Sequence, residues 1–121
     1  MRFAKWVFTG AGVYGLIVMV PMLFLESMIA KATGPLTRPE DYYGFVGAAV
    51  VFQFLFLIIG RDPKRYRPAM LVGVLEKLSF GVPVWILHAQ DRVHGSVMVF
   101  ASIDLCLGVL FTISYLKTRP A

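Results

Sequence analysis

Four long runs of apolar residues, each bounded by charge, constrain this chain more than any other feature of its sequence. The runs cover about residues 5–25, 43–59, 68–87 and 95–116. At 1.5 Å per residue, helices of that length reach roughly across the 30 Å hydrocarbon core of a bilayer. No water is present there to satisfy a strand edge, and four runs are too few and too long for a barrel, so α-helix is the backbone solution. The many β-branched and aromatic residues, strand formers in water, yield to that requirement. The expected fold is all-α: a single domain over residues 1–121, forming an integral membrane, antiparallel four-transmembrane-helix bundle with both termini cytoplasmic.

Composition supports the same solvent. Charged residues make up 16% of the chain, against about a quarter in soluble domains, which leaves too little charge to cover a water-facing surface. The net charge of +5 would suit nucleic acid if it formed one face. The basic residues instead flank the apolar runs, as Lys and Arg do at membrane spans, and no nucleic acid partner is expected. Cys106 is the only cysteine. It excludes an internal disulfide and any paired-cysteine metal or redox motif, and between Leu105 and Leu107 it reads as a small hydrophobe.

Direction follows from the positive residues. Arg2, Lys5, Arg61, Lys64, Arg65, Arg67, Lys117 and Arg119 fall on one side, and Lys31, Arg38 and Arg92 on the other. That eight-to-three division fits four crossings with the richer side cytoplasmic; three or five crossings would scatter it. A cleaved signal peptide ending near Ala30-Lys31-Ala32 is the rival for the first run. That run is longer than a usual signal core, and Glu26 intervenes before the cleavage position. Thr37 and Glu40 have the spacing of a capping box for the second helix. Pro68 suits the start of the third, and Pro21 a bend late in the first. The connection over 26–42 is the longest, with turn chemistry at Gly34-Pro35 and Arg38-Pro39.

Polar residues inside the runs carry the functional question. Glu76 and Lys77 interrupt the third run, Asp104 the fourth, Gln53 the second and Tyr14 the first. An ionised group at mid-bilayer costs at least about 2.5–3.5 kcal/mol, so these groups should turn inward. Measured from the basic end of each run, they lie roughly 9–18 Å deep, within one slab about two helical turns thick. Small residues share their faces: Ala101 and Gly108 with Asp104, Gly73 and Gly81 with Lys77, Ala11 and Gly15 in the first run, Gly44 and Ala48 in the second. Small residues let helices approach closely in lipid. The simplest arrangement pairs Lys77 with Asp104, with Glu76 hydrogen-bonded to Gln53 or Tyr14, or protonated. It reads equally as a ligand or proton-linked site and as a polar clasp that fixes helix register.

Other features carry less. Glu26, His88 and His94 lie near the less basic end, but two histidines six residues apart across a loop read as solvated residues, and no metal or cofactor is expected. Trp6, Trp85, Tyr42, Tyr43 and Tyr66 fall near the interfaces, where aromatic residues ordinarily anchor helices. Arg61, Lys64, Arg65 and Arg67 are candidates for anionic lipid head groups. No phosphate loop, nucleophile elbow or zinc-protease motif is present, and no catalytic residue is assigned.

The runs GRDPKRYRPAMLVGVLEK over 60–77 and DLCLGVLFTISYLKT over 104–118 resemble an uncharacterised group of small bacterial four-span proteins. In size and span pattern the chain more loosely resembles the DoxX-like class. The resemblance covers nearly the whole chain and implies a multi-pass protein of the bacterial inner membrane, but it carries no activity. The first-span glutamate of small multidrug exporters has no counterpart here, because the first run is uncharged until Glu26. The leading expectation is a non-enzymatic accessory or structural membrane component, alone, as a homo-oligomer or within a larger membrane complex. The alternative is a binder or transporter of an apolar or amphipathic ligand in the bundle core. An intramembrane isomerase using Glu76 and Asp104 as acid and base comes third, without a motif match.

Overall fold

The computed structural model describes residues 2–93 and 95–119, and of residues 32 and 33 the backbone alone. Among these residues there are five helices and no strand. Four are long and apolar enough to cross a membrane: α1 (Arg2–Met22), α3 (Pro39–Arg61), α4 (Arg67–Ala89) and α5 (Gly95–Lys117). The fifth, α2 (Glu26–Thr33), is a short helix within the long first connection.

Each long helix is apolar around its whole circumference, so packing is set by residue size rather than by an apolar stripe. Ile17, Val51, Leu75 and Val109, one on each long helix, are at least 60% exposed. In water this would be an aggregation surface; against acyl chains it is solvated. The buried residues recur at helical spacing, as in Ala4, Phe8, Ala11, Gly12 and Gly15 on α1 and in Met70, Gly73, Lys77, Gly81 and Val84 on α4.

Two seams close tightly. Helix α1 packs along α3, and α4 along α5. A Cβ added at Gly12 would lie 2.8 Å from the Gln53 carbonyl oxygen and from the Leu57 side chain, and one at Gly15 would overlap the Gln53 amide. A Cβ at Gly81 would come within 2.6 Å of Leu105. Glycine at these positions is what lets the helix pairs approach. The pairs join through α1 and α5, where Phe8 stacks on Phe111 at 4.1 Å between centroids. Phe56 of α3 meets Phe111 edge-on at 5.0 Å and completes a buried aromatic cluster with Met70 and Ile59. The seam between α3 and α4 is the sparse one.

Three local expectations are corrected. Helix α3 starts at Pro39, about one turn earlier than its apolar run, and Arg38 occupies the N-cap with no side-chain cap bond. The Thr37–Glu40 capping box is not formed. Instead, Pro39 presets the first turn, and Arg38 Nε draws in Asp41 Oδ2 at 2.9 Å and Glu40 Oε1 at 3.8 Å. The first connection is partly helical, and α3 is tied back to it: Tyr42 donates to the Met22 carbonyl at 2.8 Å and Tyr43 to Glu26 Oε1 at 2.7 Å. Finally, Gly44 and Ala48 form no packed row. Both are exposed, and nothing lies within 4 Å of a Cβ built at Gly44. They occupy the side of α3 turned away from α1, where α4 stands off.

Candidate functional site

The polar groups of α4 and α5 meet at one point. Lys77 lies on the buried glycine face of α4 and is only 4% exposed. Its ammonium stands 3.3 Å from Glu76 Oε1 and 3.5 Å from Asp104 Oδ1. It also faces the Phe56 ring at 5.0 Å and the Phe111 ring at 6.0 Å, the top of the aromatic cluster. Gly108, one turn beyond Asp104, makes room for the lysine stem: a Cβ there would lie 3.4 Å from Lys77 Cβ. A long flexible cation is thus held by two carboxylates and two ring faces, the set of partners that makes a buried ammonium tolerable.

Lys77 donates to Asp104 Oδ1. Its approach to Glu76 Oε1 lacks hydrogen-bond geometry, so that oxygen is shielded from solvent and compensated in charge, yet has no directed donor. Glu76 is a sequence neighbour of Lys77 and cannot share its face, since consecutive helical residues point about 100° apart. It stands on the flank of α4 that looks toward α3.

Neither Gln53 nor Tyr14 reaches Glu76, contrary to the expected hydrogen bond. The Gln53 amide nitrogen donates to the Ala49 carbonyl of its own helix at 2.7 Å. Its oxygen, buried without a donor, is pressed toward the space left by Gly15. The reason is geometric: α3 is drawn against α1 by glycines, and that closeness turns Gln53 into the α1 seam and away from α4. Tyr14 on α1 is half-buried. The structure therefore joins Glu76, Lys77 and Asp104, sets Tyr14 at the margin and separates Gln53.

Where α3 and α4 stand apart, a groove of about 120 Å3 opens, lined by Phe45, Ala48, Ala49, Phe52, Glu76 and Ser79. Phe45 also stacks on Phe80 across the seam at 5.5 Å between centroids. Ser79 Oγ donates to the Glu76 carbonyl at 2.7 Å, so its remaining lone pairs are free to accept. Phe45, Ala48 and Ser79 are exposed, so the groove faces outward, to the side of the bundle. Of the lining residues, only Glu76 and Ala48 stood out in the sequence, Ala48 as part of a packing row. The available signal was spacing: Ser79 is three residues after Glu76, and Phe45, Ala48, Ala49 and Phe52 share one helical face.

The four basic residues proposed for lipid head groups divide. Arg61, Lys64 and Arg65 are exposed, and Arg61 with Ile58, Asp62 and Tyr66 borders a cavity of about 470 Å3. Arg67 is committed within the protein. Its Nε donates to the Tyr115 carbonyl at 3.0 Å, and its guanidinium lies 3.7 Å over the Tyr115 ring. At the other end, Glu26 accepts from Tyr43 and His88 packs edge-on to Trp85, while His94 lies outside the described residues. Among the described residues, no group of three or more histidine, cysteine or acidic side chains converges as a metal site would require. No protein-family model, no curated protein and no solved structure matches the chain.

Proposed function

We propose that this small multi-pass membrane protein binds one end of an apolar or amphipathic molecule in the lateral groove between α3 and α4. The observation that carries the reading is Glu76, an acidic side chain of mid-α4 on the wall of a groove that opens outward, with one carboxylate oxygen turned in toward Lys77 and without a directed donor. Size limits what enters. A dry cavity of about 150 Å3 accommodates benzene, and drug-sized ligands occupy roughly 300–1,000 Å3. A groove of about 120 Å3 takes only the head of a chain molecule, whose remainder stays among the acyl tails.

The test is photolabelling. The protein in nanodiscs would be exposed to an alkyl-diazirine probe and the adducts mapped by mass spectrometry. Labelling should concentrate on Phe45, Ala48, Phe52 and Ser79 and be lost in Ala48→Trp, which fills the groove from an exposed position. Adducts spread over the outward faces of all four long helices in proportion to exposure would overturn the reading.

A second reading, an accessory component with a structural clasp, is favoured by Lys77 itself. A lysine only 4% exposed between carboxylates of adjacent helices fixes the register of α4 against α5 whether or not anything occupies the groove. For location, the basic end of the bundle carries the start of α1, the end of α5 and the α3–α4 loop. On the positive-inside rule that end is cytoplasmic, which supports the inner membrane of a bacterium.

A further inference from the structure

The charges at the inner wall of the groove do not balance. One ammonium, Lys77, meets two carboxylates, Glu76 and Asp104. With all three ionised the cluster is left with one negative charge, and an uncompensated charge is heavily penalised in such surroundings. The neighbouring elements supply no further cation. Tyr14, on α1, is the other titratable group near Asp104 and is a phenol. Helix α3 presents Ala49, Phe52 and Phe56, all uncharged.

Two things restore neutrality: a proton on one carboxylate, or a second cation. Both carboxylates keep some exposure, 13% for Glu76 and 18% for Asp104, but they open in different places. Glu76 lines the groove and Asp104 does not. The oxygen without a directed donor belongs to Glu76. Beside it, Ser79 Oγ has lone pairs free to accept, because its proton is already given to the Glu76 carbonyl. Phe45 and Phe52 form the opposite wall, and aromatic faces attract cations.

We propose that the α3–α4 groove takes the protonated amine head of a single-chain amphiphile, in exchange for the proton that otherwise neutralises the cluster at Glu76. This rests on the reading of the groove as a ligand site and adds the charge of the ligand. In the exchange the Glu76 carboxyl releases its proton to water. Ammonium N–H groups then donate to the Glu76 carboxylate and Ser79 Oγ, and the cluster is neutral before and after. A hydroxyl head of equal length could donate to Glu76 but would leave the charge uncompensated once the proton had gone.

The experiment sets dodecylamine against dodecanol, each competing with the alkyl-diazirine probe for protein in phosphatidylcholine nanodiscs. Amounts in the membrane are normalised to partition into empty discs. The amine is expected to compete about tenfold more strongly than the alcohol, a difference of about 1.4 kcal/mol. Its advantage should shrink as pH falls, because protons then compete for Glu76. Glu76→Gln should bring the two competitors level, while in Ala48→Trp the groove label itself is lost. Equal competition by amine and alcohol in the native chain, at every pH, would overturn the charge assignment and leave the groove reading standing. No competition by either, or groove labelling that survives in Ala48→Trp, would overturn the groove reading itself. The amine-to-alcohol ratio and its pH dependence are measured on the native chain, so a Glu76→Gln variant that fails to fold leaves the decision intact.

Discussion

Replacing Lys77 by methionine should be among the most damaging single substitutions in the chain, and neutralising its partners as well should reverse most of the damage. At an effective dielectric near 20, the Lys77–Asp104 contact at 3.5 Å is worth roughly 5 kcal/mol of gross attraction. Desolvating the ammonium and its counter-carboxylate offsets most of that, so the clasp as a whole adds little beyond a well-packed apolar replacement. Removing the lysine alone is different, because Asp104 keeps its desolvation cost and loses its counter-charge. The expected loss is about 3–5 kcal/mol. Lys77→Met with Asp104→Leu should recover much of the loss, because the carboxyl left behind, Glu76, carries its own proton. The triple variant with Glu76→Gln should return to within about 1 kcal/mol of the native chain. Unfolding in detergent, followed by circular dichroism across the set, measures these differences. A Lys77→Met variant as stable as the native chain, or a triple variant no more stable than Lys77→Met, would refute the clasp.

The tight seams give a second expectation. Gly15→Ala should destabilise the fold by about 1–3 kcal/mol, because the new methyl meets the Gln53 amide. Gly10→Ala, with nothing within 4 Å, should be neutral or stabilising by up to about 1 kcal/mol through helix propensity in the same unfolding assay. Arg67→Ala should cost about 1.5–3 kcal/mol by freeing the Tyr115 carbonyl and emptying its ring face. The exposed Arg65→Ala should change stability by less than about 0.5 kcal/mol. If Arg61, Lys64 and Arg65 hold anionic head groups, replacing all three by glutamine should lower the phosphatidylglycerol retained on purification from mixed lipid, scored by mass spectrometry; unchanged retention counts against it. Reporter fusions at the two ends should report the same side of the membrane, and opposite sides would contradict four crossings.

The helices and their number were legible because each long helix had to bridge the bilayer, and length with apolarity suffices to mark it. The same blunt signal misplaced the start of α3. Glu40 and Asp41 are charged and fall outside an apolar run, yet they extend the helix toward the interface, where Pro39 sets the first turn and Arg38 answers their charge. Helix α2 escaped because it is short and mixed in character. The meeting of Lys77 with Asp104 could be anticipated from depth and from the glycine faces. The turning of Gln53 away from Glu76 could not. It depends on which side of α3 draws α1 in, and the sequence offered two glycine-bearing sides, Gly44 with Ala48 and Gly60 with the Gln53 face. Phe56, Ile59 and Gln53 share the face that α1 covers, and the amide goes with them.

The openness of the α3–α4 seam follows from the solvent. In water, apolar walls facing one another across a gap would be driven together by the hydrophobic effect. In lipid the acyl chains solvate them equally well, so a seam closes only where small residues permit dense packing or polar groups bond across it. The α1–α3 seam has Gly12, Gly15 and Gly60 at its contacts. The α4–α5 seam has Gly81, Gly108 and the Lys77–Asp104 bond. The α3–α4 seam has only Gly73 under Phe56 at its inner edge; along the groove its glycines at 44 and 47 face open space, and Phe45 on Phe80 holds the helices at ring distance. Glu76 and Lys77, adjacent in sequence, therefore end in different settings. Lys77 falls on the side that glycine closes, and Glu76 on the side that phenylalanine props open. A groove produced by that choice of residues should persist without a ligand, and filling it at Ala48 should cost the fold little while abolishing binding.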